Sequence, residues 1–180
     1  PKRDLVVQIS KDYTSLQPIS SFDNSTILEF VPKGQNGDNW TEIITLNKFI
    51  GSKISAHYLL DQIKKNFLKT PQNPSIWREE SSVQDGYPSG SLGVVYTSKG
   101  QVEVVRLDYY SGRYDCAGVQ YTIRPNKSQS TSEVQAKIDR FFKENVTYSP
   151  RWETFADAAR KFVPNYELKT TGVFNIQHRV

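Results

Sequence analysis

One thiol, two imidazoles and a scatter of carboxylates are the side chains from which any covalent or acid–base chemistry of this chain would have to be built. Cys116 is the only cysteine. A nucleophilic cysteine needs a thiolate made by a neighbouring base or cation, yet Cys116 stands in Arg113-Tyr114-Asp115-Cys116-Ala117-Gly118, a stretch of strand character. A buried, unreactive thiol is the expected role. One cysteine also rules out an intramolecular disulfide and a cysteine metal cage. His57 and His178 are the only imidazoles, and no short motif joins them. His57 flanks an apolar helical stripe and His178 sits near the end of the sequence, so neither metal ligation nor cofactor binding is expected.

Glycoside hydrolysis needs two carboxyl groups at a set separation across the scissile bond. Glu79, Glu80, Glu103, Asp108 and Asp115 are available, but no spacing fixes such a pair, and adjacent Glu79 and Glu80 point to opposite faces of a strand. Surface charge is the expected role for all five. A secreted hydrolase with an acidic site on Glu103 or Asp108 is the retained alternative, beside a carrier of a small ligand. Gly86-Tyr87-Pro88-Ser89-Gly90-Ser91-Leu92-Gly93 is glycine-rich but lacks the lysine and following helix of a phosphate loop and the spacing of a serine elbow. It is predicted to be a loop entering a strand. Asp108-Tyr109-Tyr110-Ser111-Gly112-Arg113-Tyr114 gathers tyrosines and an arginine, residue types enriched in binding hot spots. Tyr87, Tyr109, Tyr110, Arg113 and Tyr114 are therefore the predicted binding residues.

The elements that must position these residues can be read from periodicity. Leu5–Ile9, Thr26–Val31 and Trp40–Leu46 are β-branched and aromatic, and the turn between the last two contains Pro32 and Gly34. Trp40 is expected to anchor its strand in the core, and Glu42 to face solvent or a sheet edge. Ala56, Leu59, Leu60, Ile63 and Phe67 recur at helical spacing before Pro71. Ser75–Val83, Ser91–Thr97, Gln101–Tyr110 and Tyr114–Ile123 give four further strands, whose short connections imply antiparallel hairpins. Val134, Ile138, Phe141 and Phe142 mark a second helix with Ser132 as its expected cap. Trp152, Phe155, Ala156, Ala159 and Val163 mark a third, and Gly172–Val180 a short closing strand. Residues 1–180 show no repeat and no long linker, so a single domain is expected.

Twelve per cent aromatic residues offset a hydrophobic fraction of only 37% and argue against disorder. The net charge of +4 is spread over the chain, with basic pairs only at Lys2-Arg3, Lys64-Lys65 and Arg160-Lys161, so a phosphate-tracking nucleic-acid surface is not expected. No stretch has the apolar length of an integral membrane segment. The chain contains no methionine, which fits a processed export leader as well as a trimmed start. Four glycosylation sequons, at Asn24, Asn39, Asn126 and Asn145, are expected to be unused.

Leu28-Glu29-Phe30-Val31-Pro32-Lys33-Gly34-Gln35 followed by Asn39-Trp40-Thr41-Glu42-Ile43-Ile44-Thr45 resembles a pattern of exported bacterial proteins without a known role. With the helices and strands around it, the chain is similar in outline to the PsbP-like α/β/α sandwich, named for a photosystem extrinsic subunit. The resemblance implies an α+β fold, an antiparallel sheet with helices packed on its faces. It further implies a secreted or periplasmic protein of a Gram-negative bacterium, released by type II secretion, in a family with no agreed enzymatic activity. The reading is a non-catalytic module that binds another protein or an envelope or host component.

Overall fold

The structure is a computed structural model that describes residues 2–16, 20–22, 25–50, 54–69, 73–84, 86–112, 115–151, 166–168 and 174–179. The predicted third helix, Trp152 to Val163, lies outside the described residues. Among the described residues, twelve strands and two helices follow in the order β1 (Lys2–Gln8), β2 (Tyr13–Ser15), β3 (Ser20–Phe22), β4 (Ser25–Pro32), β5 (Glu42–Ile50), α1 (Ala56–Lys69), β6 (Ser75–Gln84), β7 (Tyr87–Ser98), β8 (Gln101–Ser111), β9 (Asp115–Ile123), α2 (Thr131–Asn145), β10 (Val146–Arg151), β11 (Tyr166–Leu168) and β12 (Phe174–Arg179).

The large sheet runs β2-β4-β5-β9-β8-β7-β6, with β3 also on β4. Strands β6 to β9 form the expected meander of antiparallel neighbours. β5 then pairs along β9, with Ile44 opposite Tyr121 and Leu46 opposite Val119. Gly34 turns β4 towards β5 with φ +84°, a conformation open to glycine at little cost. A smaller sheet runs β10-β1-β12-β11, and within it β1 and β12 are parallel. The expectation of purely antiparallel pairing therefore fails at that one ladder, which joins the two ends of the sequence, where no hairpin signal can exist.

Alternation along the central strands divides the core in two. One face of the large sheet carries Ala56 and Leu60 of α1 over Leu92, Val94, Val105, Leu107 and Tyr109. The other carries Val134, Ile138 and Phe142 of α2, together with Leu5 and Val7 of β1, over Leu28, Ile44, Leu46, Val104, Val119 and Tyr121. Burial of each such aliphatic side chain contributes about 1.5–3 kcal/mol. The α+β class stands, but the second face is shared between a helix and the small sheet, which departs from a plain α/β/α sandwich.

Local corrections have local causes. The glycine-rich segment after Gly86 is part of the twelve-residue β7 and not a loop. Its Gly93 has no room for a Cβ, because the Trp77 ring would lie 2.5 Å away. This is the service a strand glycine performs when an aromatic crosses it. Helix α2 is capped by Ser130, two residues before the expected Ser132. The Ser130 hydroxyl accepts from the Glu133 N–H, and the Glu133 carboxylate accepts from the Ser130 N–H at 2.8 Å. The deciding signal is the Ser-x-x-Glu spacing of a capping box.

A polar groove on strands β6, β7 and β8

Both faces of β8 are covered, so every second residue must be placed against one helix or the other. Val104, Arg106, Asp108 and Tyr110 face α2, and Glu103, Val105, Leu107 and Tyr109 face α1. The sequence supplies charges at three of these covered positions, and each is neutralised. Arg106 donates from Nε and Nη2 to the two oxygens of Asp108 at 2.9 and 2.8 Å, and from Nη1 to Asp139 of α2 at 2.8 Å. Its guanidinium lies 4.2 Å from the centroid of the Phe142 ring. Burial pulls its pKa down, but the hydrogen bonds and charges of Asp108 and Asp139 outweigh this and hold it above the ordinary value.

The network continues outward across the sheet. The Ser91 hydroxyl donates to Asp108 at 2.6 Å and accepts from Arg78 Nε at 2.8 Å. Arg78 in turn donates to Glu80 at 2.7 Å. In the next register row the Ser82 and Ser89 hydroxyls are 2.6 Å apart. Tyr110 stacks on Tyr148 with ring centroids 4.7 Å apart, and burial raises its phenol pKa. Between these residues lies an open groove of about 490 Å³, lined by Arg78, Glu80, Ser82, Ser91, Asp108 and Tyr110 among others.

Of the predicted binding residues, Tyr110 lines this groove. Tyr87 opens β7 opposite Gln84 and is half-buried. Tyr109 points the other way, only 2% exposed: its ring covers Gly118 and its hydroxyl accepts from Asn47 at 3.1 Å. Its pKa is pushed up to about 12 by burial. Arg113 and Tyr114 lie outside the described residues. The sequence therefore places Tyr109 and Tyr110 together, and strand alternation separates them.

The carboxylates sort differently from expectation. Glu79 and Glu80 are exposed and pair with Lys64 and Arg78. Glu103, Asp108 and Asp115 are buried instead of solvated. Glu103 accepts from the Tyr96 hydroxyl and from two nitrogens of Arg124 at 3.0 and 3.1 Å, on the α1 face, away from Asp108. Asp115 faces Lys48 at 3.2 Å with both side chains 1% exposed. Glu42, expected to face solvent or a sheet edge, is half-buried and accepts from the hydroxyls of Tyr13 and Tyr121 and from Lys137 of α2. Trp40 precedes β5 and does not enter the core; it stacks 3.6 Å under the Arg124 guanidinium.

Cys116 is fully buried, and burial pushes its thiol up to about 12. His57 Nε2 lies 2.9 Å from the carbonyl oxygen of Ser89, and the backbone of His178 belongs to β12. Among the described residues no cluster of histidine, cysteine and carboxylate side chains could hold a metal ion. None of their helices is long and apolar enough to cross a membrane. Sequence reasoning missed Arg78, Ser82, Ser89, Ser91, Arg106 and Asp139. Their signal was faint: a charged residue in a strand whose both faces are apolar must find a partner, and Arg106 stands between Val105 and Leu107.

Fold and groove together define an α+β protein with a polar depression built on adjacent strands. The solution structure of cyanobacterial PsbP from Synechocystis shares this fold with a TM-score of 0.52 at 7% identity, over 78% of this chain and 84% of that one. LpqN of Mycobacterium tuberculosis, described as involved in cell envelope biogenesis, matches with a TM-score of 0.51 at 17% identity, over 83% and 86%. These likenesses support the fold resemblance read from the sequence. No family model matches the chain, and no curated protein matches it in sequence.

Proposed function

We propose that this chain is a non-catalytic binding module of one domain, secreted or periplasmic in a bacterium and a candidate for type II release. It engages another protein or an envelope or host component through the β6–β7–β8 groove and Tyr110. The carrying observation is that the groove's ionisable groups are one another's partners: Arg106 with Asp108 and Asp139, Arg78 with Glu80. A general base or nucleophile must be available to the substrate, whereas a fixed, satisfied network suits recognition by a rigid surface. LpqN's described part in cell envelope biogenesis supports an envelope setting by analogy.

The hydrolase reading has less support, because Glu103 and Asp108 lie on opposite faces of β8 and each is already bonded to an arginine. The carrier reading calls for a mostly apolar pocket, and the groove is lined by serines and charged side chains. The test is affinity capture from envelope and host-cell extracts with the intact chain and with Ser82→Arg, which fills the groove from an exposed position. Material retained by the parent and lost with Ser82→Arg is the expected result. Identical retention by both would remove the groove from the proposal.

A further inference from the structure

The charge balance of the groove narrows what it can hold. Two cations, Arg78 and Arg106, face three carboxylates, Glu80, Asp108 and Asp139, and every one of these groups sits in a salt bridge at 2.7 or 2.8 Å. A phosphate, sulfate or carboxylate ligand would have to displace an internal carboxylate from an arginine, exchanging one ion pair for another while bringing like charges together. An anion is therefore not the natural occupant. An apolar ligand fares no better, since it would cover hydroxyls and charges without replacing their contacts with water.

What the groove offers is hydroxyl chemistry on a rigid floor. Ser82 and Ser89 form a pair at 2.6 Å, and Ser91 bridges Arg78 to Asp108. Each serine hydroxyl can both donate and accept, as each hydroxyl of a sugar can. Arg106 has five N–H groups and directs three of them to Asp108 and Asp139, which leaves two held in a fixed plane by its partners and by Phe142. Tyr110 adds its phenol to the lining. The volume of about 490 Å³ lies within the range of roughly 300–1,000 Å³ usual for small-ligand sites.

We infer that the groove binds a neutral saccharide segment, its hydroxyls meeting Ser82, Ser89 and the two remaining Arg106 donors beside Tyr110. The inference rests on the binding-module reading above and specifies its ligand class. Ser82 is exposed and Glu80 has a largely exposed side chain, so both can be changed without disturbing the core.

The experiment probes the intact chain against an array of neutral and acidic oligosaccharides at about 50 and 500 mM salt, followed by calorimetry on the best neutral oligosaccharide. Expected is retention of neutral glycans with affinity that changes less than about twofold with salt, because no free charge is engaged. Ser82→Ala should weaken that binding about tenfold, the loss expected for a well-placed hydrogen bond, while the melting temperature stays unchanged. Binding confined to acidic glycans and lost at high salt would overturn the inference, as would an array with no neutral glycan retained. If the array is blank but captured envelope material is still lost with Ser82→Arg, the ligand class fails and the binding surface survives. If both assays are blank, both readings fall.

Discussion

Strand β8 carries two arginine–carboxylate pairs of similar construction on its opposite faces. In each, an arginine bonds a buried carboxylate, a hydroxyl bonds the same carboxylate, and an aromatic ring lies against the guanidinium. Arg106, Asp108, Ser91 and Phe142 form the first, and Arg124, Glu103, Tyr96 and Trp40 the second. The first is closed over by α2 on one side and opens onto a row of serines on the other. The second ties β8 and β9 to the segment entering β5, since Arg124 also donates to the Trp40 carbonyl at 3.3 Å. Similar local chemistry thus serves a surface in one place and a seam in the other. Each pair borders an opening, about 490 Å³ and rich in serines beside Asp108 and about 240 Å³ lined by Trp40, Thr45, Tyr96 and Glu103 on the other face, so the two differ in the size and lining of the opening and not in its presence.

Removing one partner should separate the two most sharply. Arg106→Met leaves Asp108 buried without its bidentate partner, and breaking such a pair costs about 3–5 kcal/mol. Urea unfolding should show that loss, and the double variant Arg106→Met with Asp108→Leu should recover most of it. A cost below that of an exposed pair, about 1 kcal/mol, would mean that the groove network is loosely held, and the contrast between the faces would collapse.

The α1 face can be tested where it is tightest. Gly118 stands opposite Tyr109, and a Cβ there would meet ring carbons at 2.3 and 2.5 Å. Tyr109 is nearly fully buried, so Gly118→Ala forces the ring to move in a packed core, at a cost of about 1–3 kcal/mol. Glycan and partner binding should be untouched, because the displaced ring lies on the side away from the groove. Altered binding in this variant would show that the two faces are mechanically coupled.

These contrasts also explain which parts of the molecule were legible in the sequence. The meander β6 to β9 and both described helices follow from periodicity, because alternation and helical spacing are local. The parallel ladder of β1 with β12 brings residues near position 5 against residues near 176, and no local signal encodes such a pairing. The site residues were obscured for a related reason. Glu103, Arg106 and Asp108 look like solvated positions until both faces of β8 are known to be covered. Glu42 looks solvated until Tyr13, Tyr121 and Lys137, distant in sequence, converge on it. The tyrosine cluster was visible as composition, but which of its members reaches the groove depends on strand phase, and the phase shows only in the packing.

A third charged cluster, on the α2 face, sharpens the comparison further. Burial alone would raise the Glu42 pKa, but hydrogen bonds from Lys137, Tyr13 and Tyr121 more than offset it and hold the carboxyl below its ordinary value. The folded state therefore binds this proton more weakly than the unfolded chain. The resulting stabilisation is fully present above the ordinary carboxyl pKa of about 4.3 and is lost as pH falls through the lower folded value. Glu42→Gln should cost on the order of 1 kcal/mol near neutrality, and the difference from the parent should shrink steadily in urea titrations below about pH 4.3. A difference independent of pH would assign the loss to packing and not to the carboxylate.

The smallest effect is expected at the seam. Arg124 is partly exposed, with 26% of its side chain accessible against 10% for Arg106. Arg124→Lys keeps the charge but gives up the forked contact to Glu103 and the flat stacking over Trp40, for which an ammonium is a poor substitute. The cation–ring contact at such a site contributes about 0.5–1 kcal/mol, and thermal unfolding should register a loss of that size. Binding should remain at the parent level, because Glu103 and Trp40 lie on the opposite face from Ser82 and Tyr110. A loss as large as that of Arg106→Met would make the two pairs equivalent in stability, leaving the larger, serine-rich lining of the groove to set the first apart.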